Sequence, residues 1–312
     1  MANIWYIQVN RYCNNKCHFC SNPSNWKSIP YEKWIELIDD FIKRNYQWII
    51  FTWWEPTLSE NLPKWIEYAN KKWIDCRIIS NWMKCSDINY VKFLKKAWLR
   101  LIHFSLYSYI EEIHDFLTDT PWSYKKLIKA IQNSIKEWIT VQLNCVINRY
   151  NQNHLDKTVK FIVKYFPQIR HFVWNNLDPQ MMRKTKIALT TLPDFEIASK
   201  SLLKALRFLE STWRTFRVER LPLCYMRGFE WASTETRKII KNEERIVYFL
   251  DFRWAFQELG WEHEKWEECK NCDLNAICAG LYEKSTFYNY VKLKPQKLTQ
   301  EEKENIIKKI KS

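Results

Sequence analysis

Glycine is almost missing from this chain, with 3 residues in 312. At the ordinary usage of about 7%, roughly 22 are expected. Glycine enters left-handed backbone without strain, so a large fold with many tight turns should not manage on so few. Tryptophan is abundant instead, at 18, and the two together make 21, close to the glycine number expected. Long apolar runs are also lacking, which excludes a membrane span. The opening segment, MANIWYIQVNRYC, lacks a basic-then-apolar export pattern, and the expected location is therefore the cytoplasm. No arginine-rich block stands out. The net charge of +14 is spread as lysines with glutamates between them, which reads as a solvated basic surface; an acidic partner such as nucleic acid is compatible but not favoured. Hydrophobic residues at 46% and charged residues at 27% are those of a globular domain and exclude a disordered chain.

Apolar β-rich runs alternate with amphipathic stretches. The pattern predicts strands at Ile4–Val9, Trp48–Thr52, Cys76–Ser80, Leu99–Leu106, Ile139–Ile147 and Arg170–Trp174. Between them it predicts helices near Tyr31–Arg44, Leu62–Lys72, Asp87–Lys96, Ser123–Glu137 and Asn153–Phe166. Strand, helix, strand at these intervals means parallel crossovers, hence an α/β sheet or barrel with its site at the carboxyl ends of the strands. After about residue 215 the rhythm breaks into short segments carrying four cysteines. A boundary is expected there. The last stretch, LTQEEKENIIKKIKS, predicts a terminal helix with Thr299 and Glu302 as a capping box.

Ten cysteines in a reducing compartment suggest metal or cluster ligands more than disulfides. Cys13, Cys17 and Cys20 form C-x3-C-x2-C directly after the first strand. Three thiolates on one loop suit an iron-sulfur cluster with one iron left open, or a zinc completed by His18. Cys224, with Cys269, Cys272 and Cys278 in CKNCDLNAIC, makes a second set of four, enough to close a four-iron cluster or a structural zinc site. Cys76, Cys85 and Cys145 are left as buried thiols.

The first loop, with Phe19 before its last cysteine, resembles the cluster loop of the radical S-adenosylmethionine (SAM) superfamily. At the end of the second strand that family carries Gly-Gly-Glu-Pro; here the place reads Trp53, Trp54, Glu55, Pro56. Ser80, Asn81 and Trp82 resemble the Asn-Gly turn after the third strand, and Trp98, Trp122 and Trp138 also stand at turns where the family has glycine. Two indoles would fill the place where the family's backbone approaches SAM. One reading is that most of these tryptophans are glycines encoded by UGA, which some bacteria read as glycine; the other is that they are genuine core or substrate-stacking aromatics.

The resemblance implies a partial (β/α)6 TIM-like barrel over residues 1–215. It implies a small cysteine-rich α+β auxiliary-cluster domain of the SPASM or twitch kind over 216–290, and a C-terminal amphipathic helix over 291–312. Cys13, Cys17 and Cys20 would hold a [4Fe-4S] cluster that binds SAM. Cys224, Cys269, Cys272 and Cys278 would hold an auxiliary one. Phe19, Trp53, Trp54, Glu55, Pro56, Ser80, Asn81, Ser105, Asn144 and Val146 would line SAM. Ser105, Asn144 and Asn148 read equally well as ordinary strand-end polar groups. His114 and Asp115 read as a catalytic pair or as a solvated helix face. The implied activity is reductive cleavage of SAM to a 5′-deoxyadenosyl radical that abstracts hydrogen from a substrate, first of all a peptide. An electron donor such as flavodoxin or ferredoxin would serve it. The alternatives are a small metabolite or an RNA base as substrate, or a zinc-binding or inactive nucleic-acid-binding relative.

Overall fold

A computed structural model describes residues 4–20, 27–52, 54–178, 186–243, 245–249, 254–258, 263–282 and 284–311. The strands are β1 (Ile4–Gln8), β2 (Trp48–Thr52), β3 (Asp75–Ser80), β4 (Leu101–Ser105), β5 (Thr140–Ile147), β6 (His171–Asn176), β7 (Thr215–Glu219), β8 (Arg245–Phe249) and β9 (Trp254–Glu258). They form one sheet in the order β7-β6-β5-β4-β3-β2-β1-β8-β9. From β7 to β8 every pairing is parallel, and only β9 runs antiparallel to its neighbour. The parallel strands make a curled half-barrel of mixed α/β class. The six predicted strands all form. Three more follow residue 215, and the expected boundary falls at the first residue of β7.

The helices are α1 (Tyr31–Lys43), α2 (Leu62–Lys71), α3 (Ile88–Lys96), α4 (Glu111–Thr118), α5 (Ser123–Lys136), α6 (Leu155–Tyr165), α7 (Lys186–Thr190), α8 (Phe195–Ser211), α9 (Thr234–Lys241) and α10 (Gln300–Lys311). Their apolar stripes explain the layer they make. In α1, Trp34, Leu37, Ile38 and Phe41 recur at helical spacing and are buried, and Trp34 stacks on Trp65 of α2 at 5.5 Å and on Phe51 of β2 at 5.7 Å. Each such side chain contributes about 1.5–3 kcal/mol by leaving water. Asp87 starts α3 by accepting from the Asn89 amide at 2.9 Å, and Asp194 starts α8 by accepting from Glu196 and Ile197. Burial alternates strictly along β3 to β6: one set of side chains meets the helices, and the other lines the concave face.

Beyond the sheet, Leu223, Leu274, Ile306 and Ile310 form a small second core with Cys272 and Cys278 packed on it. The terminal helix begins at Gln300, later than the expected segment start at 291. Its capping box is present: the Thr299 amide donates to Glu302 at 2.7 Å and the Glu302 amide to Thr299 at 3.2 Å.

Seven of the eleven non-glycine residues with positive φ among the described residues are tryptophans: Trp54, Trp73, Trp82, Trp98, Trp122, Trp138 and Trp213. Four of them end helices in one repeated way. Trp98 donates to Lys95 at 2.9 Å and Leu99 to Leu94 at 3.1 Å, the paired bonds that close a helix on a left-handed residue. Trp73, Trp138 and Trp213 repeat this after α2, α5 and α8. The same closure after α1, α4 and α9 uses Asn45, Asp119 and Asn242, residues that tolerate the conformation. Trp73 and Trp213 were not singled out from sequence.

Candidate functional site

The three clustered cysteines lie in the loop that leaves β1, at the carboxyl rim of the sheet. Backbone bonds fix that loop: Lys16 donates to Thr118 and His18 to Leu117, each at 3.1 Å, so the last carbonyls of α4 hold it. Phe19 is buried and meets Tyr107 edge-on at 4.8 Å. Cys20 closes a turn on Cys17 at 3.1 Å. The Cys13 sulfur accepts from the Asn15 amide at 3.4 Å and from Asn81 Nδ2 at 3.2 Å. Burial, with Glu55 and Cys20 nearby, pushes the Cys13 thiol up to about 12. It is therefore a neutral thiol until a cationic centre displaces its proton.

Glu55 organises the rim from within. It is fully buried, and Oε1 accepts from Thr57 N at 3.0 Å, Thr57 Oγ1 at 2.5 Å and Ser80 Oγ at 2.8 Å, while Oε2 accepts from the Asn81 amide. Burial raises its pKa against the pull of those donors. One carboxylate thus ties the turn after β2 to the turn after β3, and Asn81 reaches from there to Cys13 and, at 2.6 Å, to Asn14. Glu55 spends its acceptors on the protein. It acts as a brace between the two turns. Pro56 opens the short helical turn Pro56–Leu58.

Trp54 (φ 49°) stacks its ring against the Arg11 guanidinium, 4.3 Å away; Arg11, missed in the sequence, sits two residues before Cys13 and is itself buried. Trp53 lies outside the described residues. Trp82 (φ 69°) is fully buried and its indole nitrogen has no hydrogen-bond partner. Its ring lies 4.9 Å from His114 and 6.3 Å from Tyr107.

Ser105, Asn144 and Val146 line the concave face near the same rim, Ser105 opposite Asn144, and Asn175 donates to Asn144 at 2.5 Å. Asn148 turns inward instead, bonding Val146, Tyr150 and Asn151. The catalytic and solvated readings of His114 and Asp115 both give way. His114 is fully buried, accepts from the Tyr107 amide at 3.4 Å, and has its pKa pushed down to about 3 by burial. Asp115 starts α5 by accepting from Ser123 and the Tyr124 amide, both at 2.7 Å. Cys76, Cys85 and Cys145 are buried, as expected.

The second cysteine set converges. Cys224, Cys269, Cys272 and Cys278 line one small pocket with Leu223, Leu274, Lys265 and Lys294. Backbone amides donate to sulfur there: Gly280 to Cys278 and Gln296 to Cys272, both at 3.3 Å. Gly280 (φ 90°) admits no Cβ, which would strike the Glu264 carbonyl. Burial and the other three thiols push Cys224 up to about 12. Among the described residues, no three His, Cys, Asp or Glu side chains lie close enough to share a single metal ion.

Comparison with known proteins gives the family and the fold. A family model for the Radical SAM superfamily matches residues 7–162, half of the chain. The Fe-coproporphyrin III synthase of Methanosarcina barkeri is 29% identical over 154 residues, covering 47% of this chain and 37% of that protein; the match thus spans well under half of its length. Among solved structures, native anSMEcpe with bound AdoMet superposes with a TM-score of 0.68 at 17% identity, covering 98% of this chain and 95% of that one. Streptococcus suis SuiB bound to precursor peptide SuiA gives 0.61 at 14%, covering 90% and 72%. These two likenesses establish the half-barrel fold. Among the described residues no helix is long and apolar enough to cross a membrane. With half of its length matched by the family model, and with the three cysteines of that family's loop standing at the carboxyl rim of a half-barrel, this chain belongs to the radical SAM superfamily of enzymes.

Proposed function

We propose that this enzyme binds a [4Fe-4S] cluster through Cys13, Cys17 and Cys20, keeps one iron open for SAM, and acts on a peptide with a second cluster at Cys224, Cys269, Cys272 and Cys278. The carrying observation is the rim itself: a three-thiol loop held by α4, with Asn81 braced by Glu55 against Cys13. When bound, the cluster and SAM supply a 5′-deoxyadenosyl radical. The chain positions them. Phe19 and Tyr107 give the loop an apolar floor, Ser105 and Asn144 offer polar groups to a nucleoside, and amides donate to the sulfurs, which tunes a cluster's potential. Peptide as substrate is supported by the half-barrel shared with SuiB, a protein bound to its precursor peptide in that structure. The Fe-coproporphyrin III synthase relative supports a second reading, a small metabolite as substrate.

The tryptophans at left-handed positions are, in this reading, glycines read from UGA. Trp54 and Trp82 at the rim are then the two small residues the turns require, and the space their rings fill opens beside Arg11 and Tyr107. Anaerobic reconstitution with iron and sulfide tests the whole. Reductant and SAM should yield 5′-deoxyadenosine, and Cys13→Ala, Cys17→Ala or Cys20→Ala should abolish it. Two zinc ions and no SAM cleavage in the reconstituted wild type would refute the assignment of the sites.

A further inference from the structure

Below the rim, the concave face of the half-barrel collects basic side chains, and among the described residues no acidic group is bonded to them. Arg77 (β3), His103 (β4), His171 (β6) and Arg217 (β7) all fall on the half-exposed set of their strands, the set that faces away from the helices. Register places them together. His103 is level with Ile79 of β3 and Gln142 of β5; Arg77 is one pleat lower, and His171 is level with Thr215, with Arg217 one pleat higher on the same strand. His103 and His171 stand on strands two apart, about 10 Å from axis to axis, and Arg77 and Arg217 flank them from β3 and β7 on the same concave face. Arg77 stacks on Trp48 at 3.9 Å and leaves its Nε buried without a hydrogen-bond partner. His103 Nε2 is likewise buried and unpartnered. His171 Nδ1 meets Thr215 Oγ1 at 2.7 Å, and Arg217 Nη1 donates to the Phe216 carbonyl at 3.2 Å. Arg77 and Arg217 each feel one acidic neighbour, Asp75 and Glu243, but the buried Arg77 Nε and His103 Nε2 have no hydrogen-bond acceptor, and an oxyanion is the group that would supply one.

We propose that Arg77, His103, His171 and Arg217 form an oxyanion site in the half-barrel lumen that holds a carboxylate or phosphate group at the far end of the substrate. Arg77 lies three residues before Ser80, so the anchor stands about 10 Å below the rim. That distance sets the span between the anchored group and the atom presented to SAM. The electrostatics agree with the geometry. His103 is pushed down to about 3 by burial, then by His171 and Arg77, and His171 to about 4 by burial, then by Arg217 and Arg77. The other charged or titratable groups acting on the two arginines are Asp75 and Tyr6 at Arg77, and Arg237 and Glu243 at Arg217. A bound oxyanion reverses the repulsion and favours protonated imidazole, so binding tightens as pH falls.

The role of this site as substrate anchor rests on the proposed function, whereas its anion affinity does not. Calorimetric titration of the reconstituted protein with inorganic phosphate and, separately, with succinate tests it. We expect binding of at least one of them, weakened at least tenfold by Arg77→Gln or Arg217→Gln, partly kept by Arg77→Lys, and untouched by Lys95→Gln on the outer surface. Substrate-free SAM cleavage should stay unchanged in all four variants. Preference for phosphate would assign a phosphoryl substrate, and preference for succinate a carboxylate one. No binding of either by the wild type, or binding indifferent to Arg77→Gln in a variant with native circular dichroism, would overturn the proposal. Loss of SAM cleavage in the wild type alone would refute the enzyme reading and leave the anion site standing.

Discussion

Replacing Trp73, Trp98, Trp138 and Trp213 together by glycine should stabilise the protein, the opposite of what removing four indoles normally does. All four sit at φ between 55° and 71°. A side chain in that conformation costs about 1–2 kcal/mol relative to glycine, so four independent sites store about 4–8 kcal/mol. Little packing is lost in return, because the rings are 95%, 61%, 87% and 86% exposed. Against a total stability of about 5–15 kcal/mol this is a large share. At about 2–4 °C per kcal/mol, even the lower figure raises Tm by about 8 °C. The comparison is between two recombinant chains, one with tryptophan and one with glycine at the four sites, melted under circular dichroism. Trp34→Gly and Trp65→Gly give the contrast: both rings are fully buried in helices, and each loss should cost about 3–5 kcal/mol. An unchanged or lower Tm in the four-glycine chain refutes the backbone argument. Intact mass of the protein from its native host is the direct check on recoding, and a mass matching 18 tryptophans would end it.

Glu55→Ala should lower stability by about 3–5 kcal/mol, since it strands the buried donors of Thr57, Ser80 and Asn81; denaturant unfolding measures this, and a loss under about 1 kcal/mol would show that the brace is dispensable. Cys269→Ala with Cys272→Ala should keep SAM cleavage while removing about half of the iron, read by iron assay and 5′-deoxyadenosine yield; full iron retention would remove the second cluster. Acid should destabilise the fold through His114. Its pKa falls from 6.5 to about 3 on folding, so its contribution is complete above about 6.5 and fades at about 1.4 kcal/mol per pH unit on the way down to 3. Urea titrations at two pH values below 6.5 should show that slope flattened in His114→Phe, and an equal slope in both proteins would refute the assignment.

Periodicity carried the fold: six strands and five helices were legible because each element repeats its apolar positions at period 2 or 3.6, and the structure moves their ends by at most a few residues. The strands β7, β8 and β9 were not legible. Length is not the reason, since β1, β2 and β4 are five residues as well; these three fall from residue 215 onward, where the strand-helix rhythm of the sequence breaks, and pairing with β6, with β1 and with one another defines them. The rim divides the same way. Spacing alone marks Cys13, Cys17 and Cys20, but the brace depends on where side chains point: the Glu55 oxygens take donors from Thr57, Ser80 and Asn81, residues scattered along the chain. His114 looked solvated because EEIHDFLTD is acidic on either side of it, and burial of one helix face decided otherwise. Most telling is where sequence and backbone speak together. Tryptophan at a helix terminus is a local contradiction, and a folded chain keeps such contradictions only where function or strain is served. The same closure repeats at four helix ends far from the rim, while three equivalent ends use asparagine or aspartate. A binding or catalytic role does not call for the same residue at four helix ends spread over the scaffold, whereas the proposed recoding of one codon would account for all four at once.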